Sequence, residues 1–187
     1  MGGVHAGVVG GLCGLMVVLR FSAFLRVYFL IHENIIVSER RRTDMGTVFD
    51  TAKYILEQRG KMSTMKLQKL CYYTQAWSLV WDDAPLFDED FEAWANGPVC
   101  PALFYHSQGK FSVSADEMKG NSENLSGGQK DTINKVLEYY GEKNAQWLSQ
   151  LTHMEGPWQD ARRGFPAGAL CNTPITKESM AMYYGGL

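Results

Sequence analysis

Apolar residues recur at intervals of three and four positions through most of the chain from Met45 onward. Gly, Pro and short polar runs separate the periodic segments. This spacing is typical of amphipathic helices that pack one face against a core. The first such segment follows the capping residue Thr47 and ends at Gly60. We therefore expect a mainly α-helical domain.

The second periodic segment predicts a longer helix that begins at Ser63 or Thr64. The acidic, Pro-containing run at residues 82–85 ends it. Its apolar face is expected to hold Leu67, Leu70, Cys71, Thr74, Trp77 and Trp81. Other faces of the helix are expected to carry Lys66, Lys69, Tyr72 and Gln75.

The periodicity changes after this helix. Phe91–Trp94 alternates as a short strand or one arm of a hairpin does, and residues 96–98, Asn-Gly-Pro, are typical of a turn. A proline opens Pro101–His106 and suits the first turn of a short helix. Residues 109–128 are polar and predict a long loop with one short helix near residues 115–119.

Helical periodicity returns in the last third of the chain. One segment ends at Gly141, the next follows the capping residue Asn144, and the last follows Thr176. A Gly-Pro pair at residues 156–157 breaks the chain before one further turn. The expected fold class is mainly α: a compact multi-helix single domain with a short strand or hairpin near Phe91–Trp94.

Composition and charge limit the classes of partner. With 45% hydrophobic and 12% aromatic residues, the chain can bury a substantial core. Five of its 18 basic and three of its 20 acidic residues precede Met45, which leaves 13 basic and 17 acidic residues after that point. Proteins that bind nucleic acid are usually basic, so no nucleic-acid partner is expected.

The cysteines are scattered along the sequence, and none lies in a C-x-x-C pair. They are Cys13, Cys71, Cys100 and Cys171. This usage is typical of reduced thiols in a cytosolic protein rather than of a disulfide framework. A zinc site would need paired spacings. We therefore expect a cytoplasmic protein with no metal and no cofactor.

Two candidate catalytic patterns have simpler structural explanations. His153 and Glu155 have the H-x-E spacing of zinc deaminases, but the P-C-x-x-C segment that completes that site is missing. We expect His153 at the end of a helix and Glu155 in solvent. Cys71 or Cys100 could act as a nucleophile with His106 or His153, yet a thiol on an apolar helix face is usually buried and inert. An enzyme that uses His and Cys stays as an alternative.

Residues 1–44 differ from the rest of the chain. An apolar, Gly-rich run is interrupted by Arg20 and Arg26, each of which costs about 2.5–3.5 kcal/mol in the middle of a membrane. Just before Met45, the run Ser-Glu-Arg-Arg-Arg has codons that can form a purine-rich ribosome-binding site. We expect residues 1–44 to be an over-called start. A membrane-associated segment is the alternative, and no membrane contact is expected for residues 45–187.

Three segments in order carry a family resemblance. They read KLQKLCYYTQAWSLV from Lys66, PLFDEDFEAWANGPVCPALF from Pro85 and LTHMEGPWQDAR from Leu151. In order, spacing and residue type the chain resembles the SocA-like antitoxin family, the Panacea domain, which phage-associated proteins of the GepA type share. The resemblance covers about residues 45–184 and not residues 1–44. We therefore expect the Panacea domain at residues 45–187.

The resemblance implies a binding module without a catalytic centre. Members of the family neutralise a cognate toxin, usually encoded by the adjacent gene, through direct protein–protein contact. The founding member also delivers its toxin to a ClpXP-type protease. A regulatory interaction protein of a phage or mobile element and a membrane-tethered regulator stay as alternatives. The residues of the family motifs, expected to bind the partner or to brace the fold, are Lys66, Lys69, Tyr72, Tyr73, Gln75, Trp94, Gly97, Pro98, Val99, Thr152, His153, Pro157 and Trp158.

Overall fold

The computed structural model describes residues 45–187. Its helices are α1 (Val48–Arg59), α2 (Thr64–Trp81), α3 (Pro101–His106), α4 (Gly127–Tyr140), α5 (Ala145–Met154), α6 (Gly156–Ala161) and α7 (Lys177–Tyr184). Its strands are β1 (Met62–Ser63), β2 (Phe91–Trp94), β3 (Gly97–Val99), β4 (Ser112–Val113) and β5 (Pro174–Ile175). The expected mainly α fold with a hairpin at β2 is confirmed.

Both explanations of the N-terminal extension, residues 1–44, lie outside the described residues. Across residues 45–187, no helix combines the length and the apolarity that crossing a membrane requires.

Capping residues begin the helices where their side chains can satisfy free backbone donors. The oxygens of Thr47, Ser63, Asn144 and Thr176 each accept a hydrogen bond from a backbone N–H in the first turn of the following helix. The predicted starts of α1, α2, α5 and α7 are therefore confirmed. Ser126 caps α4 in the same way, so that helix begins earlier than its apolar periodicity indicated.

The segment expected as one long loop carries more regular structure than predicted. Ser112–Val113 pairs antiparallel with Met62–Ser63, which lies about fifty residues earlier. Two 3-10 turns follow, at Ala115–Glu117 and Ser122–Asn124. The first matches the expected short helix in part. Strand β4 was missed because its partner β1 is distant in the sequence, and no local pattern predicts their pairing.

Helix α2 lies at the centre of the fold and contacts α1, α4, α5, α7 and β3. Lys69, Tyr72 and Gln75, which were expected on faces of α2 other than the apolar one, are each at most 1% exposed, so those faces are buried as well. Neighbouring elements cover α2 on almost every side, so its polar side chains must find partners inside the protein. Trp81, which was expected on the apolar face, stacks on Trp77 at 4.8 Å but ends the helix and is 45% exposed.

The three-stranded sheet has the order β3-β2-β5 and is antiparallel throughout. In the β2–β3 hairpin, Trp94 pairs with Gly97 and Ala93 with Pro98. The two turn residues are Ala95 and Asn96, so the predicted turn lies one position earlier than expected and the Gly-Pro pair belongs to β3. The hairpin rests against α2 and α5.

Candidate functional site

Lys69 is a buried lysine beneath the β2–β3 hairpin. Its side chain leaves the middle of α2, and Nζ donates a hydrogen bond of 2.8 Å to the carbonyl of Pro98. The residue is 1% exposed, and none of the ion pairs within residues 45–187 includes it. Burial lowers the pKa of its amine to about 7. This lysine therefore attaches the hairpin to α2, and its burial disfavours the charged form of the amine.

Gly97 lies where the hairpin, Lys69 and α5 meet. Its φ of +96° falls in the region that favours glycine. A Cβ at this position would lie 2.6 Å from Thr152 Oγ1 and 2.8 Å from Lys69 Cε. The Thr152 hydroxyl donates to the carbonyl of Ser149 at 2.8 Å, and this holds it in place. Both the backbone conformation and the lack of space therefore require glycine.

His153, Trp158 and Arg162 attach α5 and α6 to strand β2. The His153 ring stacks on the Trp158 indole at 4.2 Å, and the indole Nε1 donates to the carbonyl of Trp94 at 2.9 Å. The buried Arg162 guanidinium donates to the carbonyl of Ala93 at 2.7 Å. Burial and the positive charges of Lys69 and Arg162 lower the pKa of His153. The imidazole is therefore neutral at pH 7.

A second polar centre contains Glu155 and two tyrosines. The hydroxyls of Tyr73 and Tyr184 donate to Oε2 of Glu155 at 3.0 and 2.7 Å. The Tyr72 hydroxyl lies 3.4 Å from that of Tyr184, and the Tyr73 ring stacks on Tyr140 at 4.1 Å. We call these five residues the tyrosine–glutamate cluster. It joins α2, α4 and α7 to the short connection between α5 and α6.

The prediction that Glu155 lies in solvent is wrong. Only 5% of the residue is exposed, because α7 returns from a distant part of the sequence and covers it. Burial raises the pKa of its carboxyl to about 7, although the hydrogen bonds from Tyr184 and Tyr73 act in the opposite direction. No ion pair within the described residues includes it. Glu155 is thus a carboxyl group held by neutral donors alone.

The structure brings most of the motif residues together, and it separates others. Those around the hairpin are Lys69, Trp94, Gly97, Pro98, Val99, Thr152, His153, Pro157 and Trp158. Tyr72 and Tyr73 belong to the tyrosine–glutamate cluster. Gln75 holds the segment after α2 through Leu86 and Phe87, and Lys66 donates to the carbonyl of Gly141 at 2.6 Å. Contact of any of them with a partner stays a prediction.

Sequence reasoning missed three residues that hold this region together. Glu155 and Arg162 lie within the third motif segment, so that segment was the signal that could have identified them. Gln68 clamps the backbone of Cys100 through two hydrogen bonds, of 2.8 and 3.2 Å. Its place on α2, beside apolar residues, carried no such signal.

The described cysteines are free and buried. Cys71 and Cys100 are each 0% exposed. Burial raises the pKa of both thiols, that of Cys100 to about 11. A nucleophilic cysteine needs a thiolate and access to its substrate, and these two residues have neither.

We expect Cys71 and Cys100 to resist alkylation in the folded protein. Iodoacetamide labelling at pH 8, mapped by mass spectrometry, should leave both unmodified until denaturant is added. The variant Met182→Cys is the control, because its position is 81% exposed. Labelling of Cys100 as fast as that control would restore the nucleophile hypothesis.

An open groove of about 830 Å³ lies beside the hairpin. The start of α2, strand β2, helix α3 and residues 170–172 form its walls. Lys69, Trp94 and Val99 are the motif residues that line it, and the ring of Phe104 meets that of Trp94 edge to face at 4.7 Å. We call this space the hairpin groove.

Comparison with known proteins identifies one family. A family model described as "Antitoxin SocA-like, Panacea domain" matches residues 67–159. No curated protein and no solved structure gives a significant match. The matched region extends from α2 into α6, so it contains the hairpin, Lys69, Trp158 and Glu155 but ends before Arg162 and α7. Among the described residues, no cluster of His, Cys, Asp and Glu could hold a metal ion.

Proposed function

Residues 67–159 place this chain in the SocA-like antitoxin family (Panacea domain), and on that premise we propose that it neutralises a cognate toxin by direct protein–protein contact. The family match is the observation that carries the proposal. Members of the family are generally not enzymes, and we propose the same for this chain. Its site of action would be the cytoplasm, beside the toxin, with no nucleic acid required.

The packing around the hairpin supports a rigid binding module. Lys69 from α2 and Arg162 from the end of α6 each donate to a backbone carbonyl of the hairpin. Such contacts hold one conformation, which lowers the ordering cost of binding a partner. The unreactive thiols of Cys71 and Cys100 give no support to the enzyme alternative.

Expression of the adjacent gene tests the proposal. We expect its product to arrest growth when expressed alone, and co-expression of this chain to restore growth. The matched control is the same plasmid with the start codon of this gene removed, which separates the protein from its transcript. A harmless neighbour, or a toxic neighbour that this chain does not counteract, would contradict the proposed function.

Direct contact and protease delivery can be separated in the same strains. Co-purification of the two proteins in a constant ratio is expected if the chain binds its toxin. Rescue that persists in a strain without ClpXP means that binding is sufficient. Rescue that is lost there, while the complex still forms, assigns this chain an adaptor role as well.

A further inference from the structure

Polar contacts attach helix α7 to the rest of the fold at both of its ends. At the start of the helix, Nζ of Lys177 donates to the carbonyl of Asp88 at 2.8 Å and pairs with Asp90 at 2.7 Å. Near its end, the hydroxyl of Tyr184 donates to Oε2 of Glu155 at 2.7 Å. The first contact lies at the surface, and the second is buried. A change of charge at Glu155 therefore acts on the end of α7 and not on its start.

Helix α7 depends on its packing and is joined to the fold by an exposed connection. It has eight residues, and a helix of this length is not stable alone in water. Of these eight, Met180 and Tyr184 are buried. Residues 163–168, which lie between α6 and β5, are all exposed. Such an element can open at a lower free energy than the whole domain needs to unfold.

Glu155 is the group in the tyrosine–glutamate cluster that titrates between pH 5 and 7. The titratable groups that face it from the neighbouring helices within residues 45–187 are Tyr72, Tyr73, Tyr140, Tyr183 and Tyr184. Burial raises the pKa of all five hydroxyls, so they stay neutral in this range. On adjoining α5, His153 stacks on Trp158, and the charges that lower its pKa are those of Lys69 and Arg162.

We propose that Glu155 makes α7 a pH-sensitive strap, which stays closed while the carboxyl is protonated and opens more often once it is ionised. The buried carboxylate has two hydroxyl donors and no cation, and such a charge costs free energy. Opening of α7 removes Tyr184 and lets water reach the charge. It also uncovers Tyr72, Tyr73 and Trp77, whose rings lie within 6.2 Å of the Tyr184 ring. This inference goes beyond the proposed antitoxin function and does not depend on it.

The direction of the effect follows from proton binding by Glu155. Its pKa is about 7 while α7 is closed, and it returns toward the ordinary value of 4.5 when water reaches the carboxyl. Between these values the closed form holds a proton that the open form has lost, so opening becomes more frequent as pH rises. From pH 5 to 7 the opening constant should increase about thirtyfold, the effect of one proton, and above pH 7 it should level off.

Hydrogen–deuterium exchange of the full chain at pH 5, 6 and 7, corrected for intrinsic exchange rates, measures this opening. We expect the amides of residues 180–185 to be less protected than those of α1 at each pH. Their protection should fall about thirtyfold from pH 5 to 7. In Glu155→Gln the fall should disappear, because the amide cannot ionise. Glu138→Gln, at an exposed position of α4, is the matched control and should keep the wild-type fall.

Tyr184→Phe separates the charge from the hydrogen bond. It keeps the ring and removes the donor, so the protection of α7 should decrease at pH 7 while its dependence on pH persists. Equal protection of α7 and α1 would show that α7 opens only with the whole domain, and would overturn the proposal. A fall with pH that persists in Glu155→Gln would overturn it as well. So would a flat wild-type profile from pH 5 to 7, whether or not either variant folds.

Discussion

The free energy of unfolding is expected to fall as pH rises from 5 to 7 and to increase again from pH 7 to 9. The two buried groups at the candidate site cause this minimum. Glu155 has a pKa of about 7 in the folded protein against an ordinary value of 4.5. Lys69 has a pKa of about 7 against an ordinary value of 10.5. Glu155 therefore changes the free energy of unfolding below pH 7, and Lys69 changes it above pH 7.

For Glu155 the sign follows from proton binding. Between pH 4.5 and 7 the folded state keeps a proton that the unfolded chain has lost, so the free energy of unfolding falls as pH rises. The full effect is on the order of 3 kcal/mol, at about 1.4 kcal/mol per pH unit. The lowered pKa of His153 opposes this slope below pH 6.5, so the observed decline will be shallower.

For Lys69 the sign is the reverse. Between pH 7 and 10.5 the unfolded chain holds a proton that the folded protein does not, so stability increases with pH. From pH 7 to 9 the gain is also on the order of 3 kcal/mol. As pH falls from 9 toward 7, the unfolded chain stays protonated while the folded amine stays neutral, so stability is lost until Lys69 takes up its proton near pH 7.

Urea denaturation at one-unit steps from pH 5 to 9 measures both slopes. Glu155→Gln keeps an acceptor for Tyr73 and Tyr184 but cannot ionise, so it should gain stability over wild type as pH rises toward 8. Lys69→Met should remove the increase above pH 7. Glu138→Gln and Lys135→Met are matched controls at exposed positions of α4. A profile in which wild type and Glu155→Gln stay parallel would contradict the prediction.

Gly97→Ala is expected to destabilise the protein by about 2–5 kcal/mol. A positive φ costs an alanine about 1–2 kcal/mol. The added methyl group would also lie 2.6 Å from Thr152 Oγ1 and 2.8 Å from Lys69 Cε. Overpacking of this kind typically costs a further 1–3 kcal/mol or so. The hairpin would have to move away from α2 and α5, so the groove beside it would change shape.

Gly60→Ala is the matched control for this prediction. Gly60 also has a positive φ, of +74°, but a Cβ there meets no atom within 4 Å. The difference between the two variants in urea denaturation isolates the collision from the backbone strain. Adding Thr152→Ala to Gly97→Ala should recover part of the loss, since it removes the nearest atom. Equal losses for Gly60→Ala and Gly97→Ala would show that the space around Gly97 is not limiting.

Helices and strands that depend on residues close together in the sequence were predicted, and those that depend on distant residues were not. Thr47, Ser63 and Asn144 each accept from a backbone N–H three positions away, and their helices begin as the sequence predicts. Strand β4 depends on a partner strand about fifty residues earlier, and it was missed. The hairpin was predicted because both of its strands lie within one short segment.

Some features of the candidate site could likewise be predicted from the sequence, and others could not. The motif segments identified the residues that gather around the hairpin, and the family match covers the same region. They did not indicate that Lys69 is buried, since a lysine beside apolar helix positions usually reaches solvent. Nor did they reveal that Tyr184, at the end of the chain, closes over Glu155. The hairpin groove likewise depends on residues 170–172, which lie outside the matched region.

The sequence by itself determined the helical class, the starts of α1, α2, α5 and α7, the hairpin and the antitoxin family, because periodicity, caps and motif order are local properties of the chain. Only the tertiary structure decided which charges lose contact with water. The sequence around Lys69 and Glu155 does not mark either residue as buried, but distant elements cover both of them in the fold. Whether a charged group is solvated depends on its surroundings in three dimensions, and the pKa values and the shape of the hairpin groove follow from them.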